Sequence, residues 1–396
     1  LEHIGQILKS SFLQSTFTLE NHQFTEKLNI NKDFLDEKRG TFFFFRSMSM
    51  AMQARFMELI EHKGMPRVFL HGNPHVENYL ITENGGAMTD FDRARIGVYA
   101  WDIVRFLSSV AIKKERKSEE QADKNLLSPK AESSDYFLPN FVLEYFLEGY
   151  FRSFYNPNLY FKKISIASDK ADKKVWFAST NEYLEANIKW AKKMRKNPID
   201  VKDKNMRAIL MGYLKSRKET KLLKDFQISE AGISEGTFGN KRYLVVLSPK
   251  KLSEYTDSIF LDLKTVYQDP DNAFYFNPFK HHGLRMIKAS QVYAPNIELR
   301  MGYTTYKGQQ YWGREIPSKG AKIKENLDEL EQLDMVYSVG TQLGRAHRRT
   351  LYKSKPKDLV RHLENNYEKL VQIGHQLNAE IIEAHSLVKE KWQQVL

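Results

Sequence analysis

From His71 to Arg95 the chain reads HGNPHVENYLITENGGAMTDFDRAR, which sets a carboxamide and two carboxylates around an expected strand, loop and hairpin. Asn78, Asp90 and Asp92 are hard oxygen donors. Brought together by adjacent strands, they suit Mg²⁺, which usually keeps waters and nucleotide phosphates as its other ligands. Two plainer readings compete. Asn and Asp also cap and bridge turns without any chemistry. A zinc site on His71 and His75 is the other, and it lacks cysteine and a third clear ligand nearby.

The elements that must position these residues are legible around them. Arg67 to Gly72 has the character of a short buried strand, and Asn84-Gly85 between Tyr79–Ile81 and Ala87–Met88 predicts a tight hairpin turn. Thr41 to Glu61 reads as a helix entered through Phe42–Phe45. Lys113 to Ser134 reads as a charged loop, followed by helices over Tyr136–Phe154, Asn181–Met194 and Met206–Leu223, with a break at Asn197-Pro198. Further on, ISEGTFGNKRYLVVL from Ile233 to Leu247 is a glycine-rich turn flowing into an apolar run, and Asp257 to Tyr267 is a second strand carrying Lys264. Backbone N–H groups around Gly236, Thr237 and Gly239 suit phosphate oxygens, and Lys264 adds a point charge. A helix over His281–Tyr293, strands over Glu298–Tyr306 and Gln310–Ile316, and a helix over Asp334–Arg349 complete the series.

The early string resembles the phosphotransfer loop of kinase-like enzymes, in particular the aminoglycoside phosphotransferases, whose pattern is H-G-D-x-x-x-x-N followed by a strand ending in I-D-F. Here His71, Gly72, Asn73 and Asn78 match it, then Thr89, Asp90 and Phe91, with Asp102 in the loop-bracing place. The string QLGRAHRRT is similar to the helix that precedes that loop in such enzymes, yet here it comes late. A closer likeness covers roughly 33–350: the chain resembles the bacterial domain-of-unknown-function 2252 family, through FFRS, GNPHVEN, TDFDR, WDIVR, GTFGNKR, FLDLK, YWGRE and GRAH. Asn73, Ser47 and Arg93 depart from that pattern.

The resemblance implies an α+β, protein-kinase-like two-lobed fold, circularly permuted, with a small β-rich lobe and a larger helical lobe. The expected division is an N-terminal helical segment (1–66), the larger lobe with catalytic loop and metal hairpin (67–226), a small nucleotide-binding lobe (227–320) and C-terminal helices packing on the larger lobe (321–396). ATP and Mg²⁺ are the implied cofactors: Asn78, Asp90 and Asp92 for the metal, Gly236, Thr237, Gly239 and Lys264 for the triphosphate, and the strand Gln310–Ile316 offering backbone groups to adenine. Asn73 takes the position of the catalytic base and faces the acceptor. A carboxamide accepts no proton, and general base catalysis is worth ~10²–10⁴-fold in rate. His75 or Glu77 acting through a water is the substitute. Arg46, Arg285 and Arg314 either touch phosphate or pair internally.

Three function classes fit: a phosphotransferase on an unknown small-molecule or protein acceptor, a nucleotide-binding pseudokinase that regulates or scaffolds, and a polyanion-binding protein retaining only the fold. The last is motivated by a net charge of +12, from 61 basic against 49 acidic residues. Basic residues crowd Lys189–Lys224 and Arg345–Lys357, and such patches attract nucleic acid, acidic lipid or phosphorylated partners. At 41% hydrophobic, the 396 residues suffice for one large two-lobed core or two domains. The absence of cysteine removes disulfides and thiol chemistry and fits a reducing compartment. Neither a spanning helix nor a signal peptide is expected, so a cytoplasmic site follows, with delivery out of the producing cell left open. After Pro356, apolar residues at alternating spacings of four and three predict one long amphipathic helix, or two folded back near Gly374. Packing of this tail on its own chain makes a monomer, and a coiled-coil dimer is the alternative.

Overall fold

The structure, a computed structural model, describes residues 35–36, 40–118, 138–159, 176–235, 241–251, 256–268, 270–322 and 329–393. It is a mixed α+β fold in which the strands paired among the described residues are all antiparallel. Strands β1 (Arg67–Leu70) and β4 (Arg95–Val98) form a pair. A three-stranded sheet has the order β10 (Gly320–Lys322), β2 (Tyr79–Thr82), β3 (Gly85–Met88). The five-stranded sheet runs β5 (Phe226–Glu235), β6 (Lys241–Pro249), β7 (Ile259–Thr265), β9 (Gln309–Glu315), β8 (Gly302–Tyr306).

Alternation along β6 and β7 gives the five-stranded sheet two different faces. Tyr243, Val245, Leu247, Ile259, Leu261 and Leu263 pack against helix Lys204–Ser216 through Met206, Ile209, Leu210, Tyr213 and Leu214. The opposite face carries Leu244, Val246 and Phe260 and is covered by Tyr183, Leu184, Ala191 and Met194 from helices Thr180–Glu185 and Lys189–Lys196. Asp262 and Lys264 share that second face by the same period of two. The expected Asn181–Met194 helix is thus two helices. The break falls at Asn187 and Lys189, whose φ of 49° and 41° lie in the left-handed region that ends a helical run.

A larger core joins helices Gly40–Ser47, Ser49–Leu59, Ala100–Ser118, Asn140–Tyr155, Glu329–Arg349 and Pro356–Gln393 with β1 to β4. The helix Ala100–Ser118 runs into the stretch read as a loop from Lys113, and 119–134 lies outside the described residues. Of the two tail readings, the single helix is the one formed: Pro356–Gln393 is unbroken over 38 residues. Its Leu363, Leu370, Leu377, Ile381 and Ala384 enter the core, and Asn378 Nδ2 donates to Ser108 O at 3.4 Å. No helix among the described residues is long and apolar enough to cross a membrane.

Candidate functional site

Asp102, in the first turn of helix Ala100–Ser118, holds the loop after β1 in place. Its Oδ2 accepts from His71 N at 2.7 Å and its Oδ1 from Gly72 N at 2.9 Å. Tyr293 OH donates to Oδ2 at 3.3 Å, and His347 Nε2 lies 3.3 Å from the same atom. Trp101 Nε1 donates to Gly72 O at 2.8 Å. Gly72 has φ 88° and lies so close to the Arg93 carbonyl that a Cβ would overlap it. The His71 ring packs 5.0 Å from Phe91 and 5.5 Å from Tyr293 between ring centroids, so it braces the loop rather than facing solvent.

Burial pulls the His71 imidazole down to about 4 from 6.5, against the attraction of Asp102 and Asp90. Between those two values the unfolded chain binds a proton that the folded chain refuses, so stability is complete above pH 6.5 and falls as pH drops toward 4. The loss is about 3 kcal/mol at most. Thermal unfolding followed from pH 7 to 4 is expected to show this slope in the wild type and a flatter one in His71→Gln. Equal slopes would contradict it.

Asn73 Oδ1 accepts from Arg105 Nε at 2.8 Å. The Arg105 guanidinium is buried beneath the Phe45 ring, 3.6 Å from its centroid, and donates through Nη2 to Phe45 O at 3.0 Å. His75 is buried with its ring edge-on to Phe42 at 5.8 Å. Burial, reinforced by Arg46, Arg105 and Lys322, holds its imidazole well below the ordinary histidine range.

A single 3₁₀ turn, Val76–Asn78, carries the loop into β2. Thr89 fastens the far end: its N and Oγ1 both donate to Asn78 O, at 2.9 and 3.1 Å. Asn78 and Asp90 thereby flank the same end of the β2–β3 ladder, which pairs Tyr79 with Met88 and Thr82 with Gly85. The turn itself is Glu83-Asn84, one residue earlier than the sequence reading, and Gly85 opens β3 at φ 124°. Asp90 has φ 74°, a backbone state that costs free energy in a non-glycine residue and is found most often where function or packing requires it.

Two lysines from remote parts of the chain meet this hairpin. Lys264 Nζ lies 2.7 Å from Asp92 Oδ2, an ion pair spanning 172 residues of sequence. Lys322 Nζ, from β10 beside β2, donates to Asn78 Oδ1 at 3.2 Å. Burial opposes ionisation of Asp90, yet Lys264 and then Lys322 hold its carboxyl well below the usual carboxylate range. Asp92 shifts upward, through burial and the neighbouring Asp90 charge, against the pull of Lys264. Burial brings Lys322 down to about 8 despite Asp90.

Asn78, Asp90, Asp92 and Lys264 are therefore brought together around one hairpin end, with Asn73 and His75 in the preceding loop. Gly236, Thr237 and Gly239 lie outside the described residues, between β5 and β6. The arginines left open in the sequence are occupied internally. Arg46 pairs with Glu77 at 3.0 Å, Arg314 with Glu298, and Arg285 Nη2 donates to Tyr267 O at 3.2 Å. Lys322 escaped the sequence reading because SKGAKIK has no motif; its place depends on β10 pairing beside β2.

Asp92 Oδ1 is buried without a hydrogen-bond partner among the described residues, and together with Asp90 and the Asn78 amide it offers the oxygen chemistry Mg²⁺ requires. No group of three or more His, Cys, Asp or Glu suited to a metal occurs among the described residues, so any metal here depends on the Asn78 amide and on nonprotein ligands. Beside the hairpin lies a cavity of about 450 Å³, lined by Leu80, Tyr183, Trp190, Ile316, Pro317 and Lys322 among others.

The family described as uncharacterized proteins conserved in bacteria (DUF2252) matches residues 37–132 and 161–390. The chain belongs to that family. The matched residues take in the whole hairpin, both lysines and the Asp102 brace. No curated protein and no solved structure matches the chain.

Proposed function

We propose that this protein is an ATP-dependent phosphotransferase with a circularly permuted, kinase-like architecture. The ion pair between Lys264 and Asp92 carries the reading, because it sets the phosphate-type lysine of a late sheet on the early acidic hairpin. Asn78, Asp90 and Asp92 would hold Mg²⁺, which neutralises phosphate charge when bound. Lys264 and the backbone near Gly236, Thr237 and Gly239 would orient the triphosphate. The cavity between Leu80 and Ile316–Pro317 would take the base, with backbone groups of Gln310–Ile316 at its edge. Phosphoryl transfer leans on positioning and charge neutralisation, so an amide at position 73 is compatible with turnover.

The permuted order is supported where the late helix ends. His347 and Thr350 close helix Glu329–Arg349 against the start of the loop: Phe69 N donates to Thr350 Oγ1 at 3.2 Å and Tyr352 N to Arg67 O at 2.8 Å. Joining such neighbours and opening the chain elsewhere costs little when the new ends lie at the surface. In this reading 227–320 forms the small lobe, while 67–226 and 321–396 form the larger one behind the segment 1–66. By packing, helices Thr180–Glu185, Lys189–Lys196 and Lys204–Ser216 accompany the small sheet.

Thermal-shift titration tests the proposal. Millimolar ATP with Mg²⁺ is expected to raise the melting temperature, because a ligand at a hundred times its dissociation constant adds about 2.7 kcal/mol. ATP without Mg²⁺ should do less. No stabilisation by either would end the proposal and leave the polyanion-binding reading. A second reading, a pseudokinase, is favoured by Asn73 and by the helix Lys189–Lys196 lying over the Lys264 face of the sheet. Mg²⁺-dependent ATP binding with no ADP formed against any acceptor would select it.

A further inference from the structure

We propose that the acceptor is an oxyanion, a carboxylate or a phosphate, and that Asn73 binds it as a hydrogen-bond donor. This rests on the phosphotransferase reading and names the acceptor class that reading leaves open. Asn73 is the one residue from Val68 to Thr82 that is not buried, so the loop presents this side chain and no other to an incoming group.

The sense of its carboxamide follows from chemistry. A guanidinium N–H only donates, so the atom 2.8 Å from Arg105 Nε must be the amide oxygen. The amide nitrogen diverges from that oxygen and makes no hydrogen bond among the described residues. Arg105 has little room to turn away, since Nη2 is on Phe45 O at 3.0 Å, Nη1 on Met52 Sδ at 2.8 Å and the Phe45 ring covers its face. Position 73 therefore offers an N–H donor where a base would offer a lone pair.

The surroundings favour negative charge. Arg105 lies behind the amide, and Lys322, whose Nζ is on Asn78 Oδ1, has no carboxylate within ion-pair distance among the described residues. A neutral hydroxyl would have to lose its proton to some group other than this amide. An oxyanion arrives ready. Its oxygen lone pair forms the new bond to the γ-phosphorus, and the bond from that phosphorus to the β,γ-bridging oxygen breaks. The electron pair leaves with ADP and no proton changes hands. The product is an acyl phosphate or a phosphoanhydride.

Calorimetric titration of the full chain, saturated with Mg²⁺ and the non-hydrolysable analogue AMP-PNP, with acetate in one arm and inorganic phosphate in the other, tests this. Saturable binding of at least one probe is expected; acetate alone selects a carboxylate acceptor and phosphate alone a phosphate. In Asn73→Asp the affinity should fall about tenfold or more, because a like charge now faces the probe. Asn73→Ala, which removes the donor without adding charge, should fall severalfold. AMP-PNP affinity is measured for each variant in the same series. If AMP-PNP binds but neither probe does, or if Asn73→Asp binds the probe as tightly as wild type, the acceptor assignment is wrong and the phosphotransferase reading stands. If AMP-PNP itself fails to bind, both fall.

Discussion

Lys264→Met is expected to weaken Mg²⁺-ATP binding by roughly ten- to a hundredfold, the scale of losing one charge-assisted contact. It should also lower stability. Lys264 and Asp92 are largely withdrawn from solvent, with side chains 11% and 15% exposed, and removing one partner of such a pair typically costs about 3–5 kcal/mol. Because Asp92 already has a raised pKa, protonation will relieve part of that cost, and the deficit should shrink as pH falls. The double variant Lys264→Met with Asp92→Asn separates the pair's part in stability from its part in binding. Stability should largely return, since the uncompensated carboxylate is gone, while ATP affinity stays low. Wild-type ATP affinity in the double variant, measured by calorimetry, would make the pair structural and remove the observation on which the phosphotransferase reading stands.

Asp102→Ala has the largest expected effect on folding. Its carboxylate accepts from two buried backbone N–H groups, at 2.7 and 2.9 Å, and also touches Tyr293 and His347. Each buried donor left unsatisfied costs about 1–3 kcal/mol, so a total loss of roughly 3–5 kcal/mol is expected. For a chain of 396 residues that corresponds to a fall in melting temperature of about 4–6 °C. Asp102→Asn keeps one oxygen acceptor and should recover part of it. A loss within about 1 kcal/mol for Asp102→Ala, by chemical denaturation, would mean that other groups hold the loop and that Asp102 is dispensable. The same variant should disturb position 73 more than the hairpin, because Thr89 fastens Asn78 independently.

Local signals were strong where chemistry is written into short strings. The β-branched and aromatic run into His71, the apolar pairs around Asn84 and the capping character of Asp102 each announce themselves. The hairpin came one residue early, at Glu83-Asn84, because an Asn-Gly pair marks a turn without saying which of its residues lies inside the loop. The helix expected over Thr41–Glu61 is interrupted at Met48, between Gly40–Ser47 and Ser49–Leu59. No Gly or Pro marks that interruption, so propensity has nothing to read there.

Amino-acid order alone determined the mixed α+β class, the family likeness, the oxygen-rich Asn78–Asp90–Asp92 set and the amide at position 73, since each lies in residues close together in sequence. Folding decided which remote groups meet them. Lys264 reaches Asp92 because alternation on β7 turns it toward the hairpin, and Lys322 reaches Asn78 because β10 pairs with β2. The amide of Asn73 acquired its direction from Arg105, held between Phe45 and Met52 from two earlier helices. Such choices depend on long-range strand pairing and on burying unlike groups together, and neither leaves a period or a spacing in the sequence.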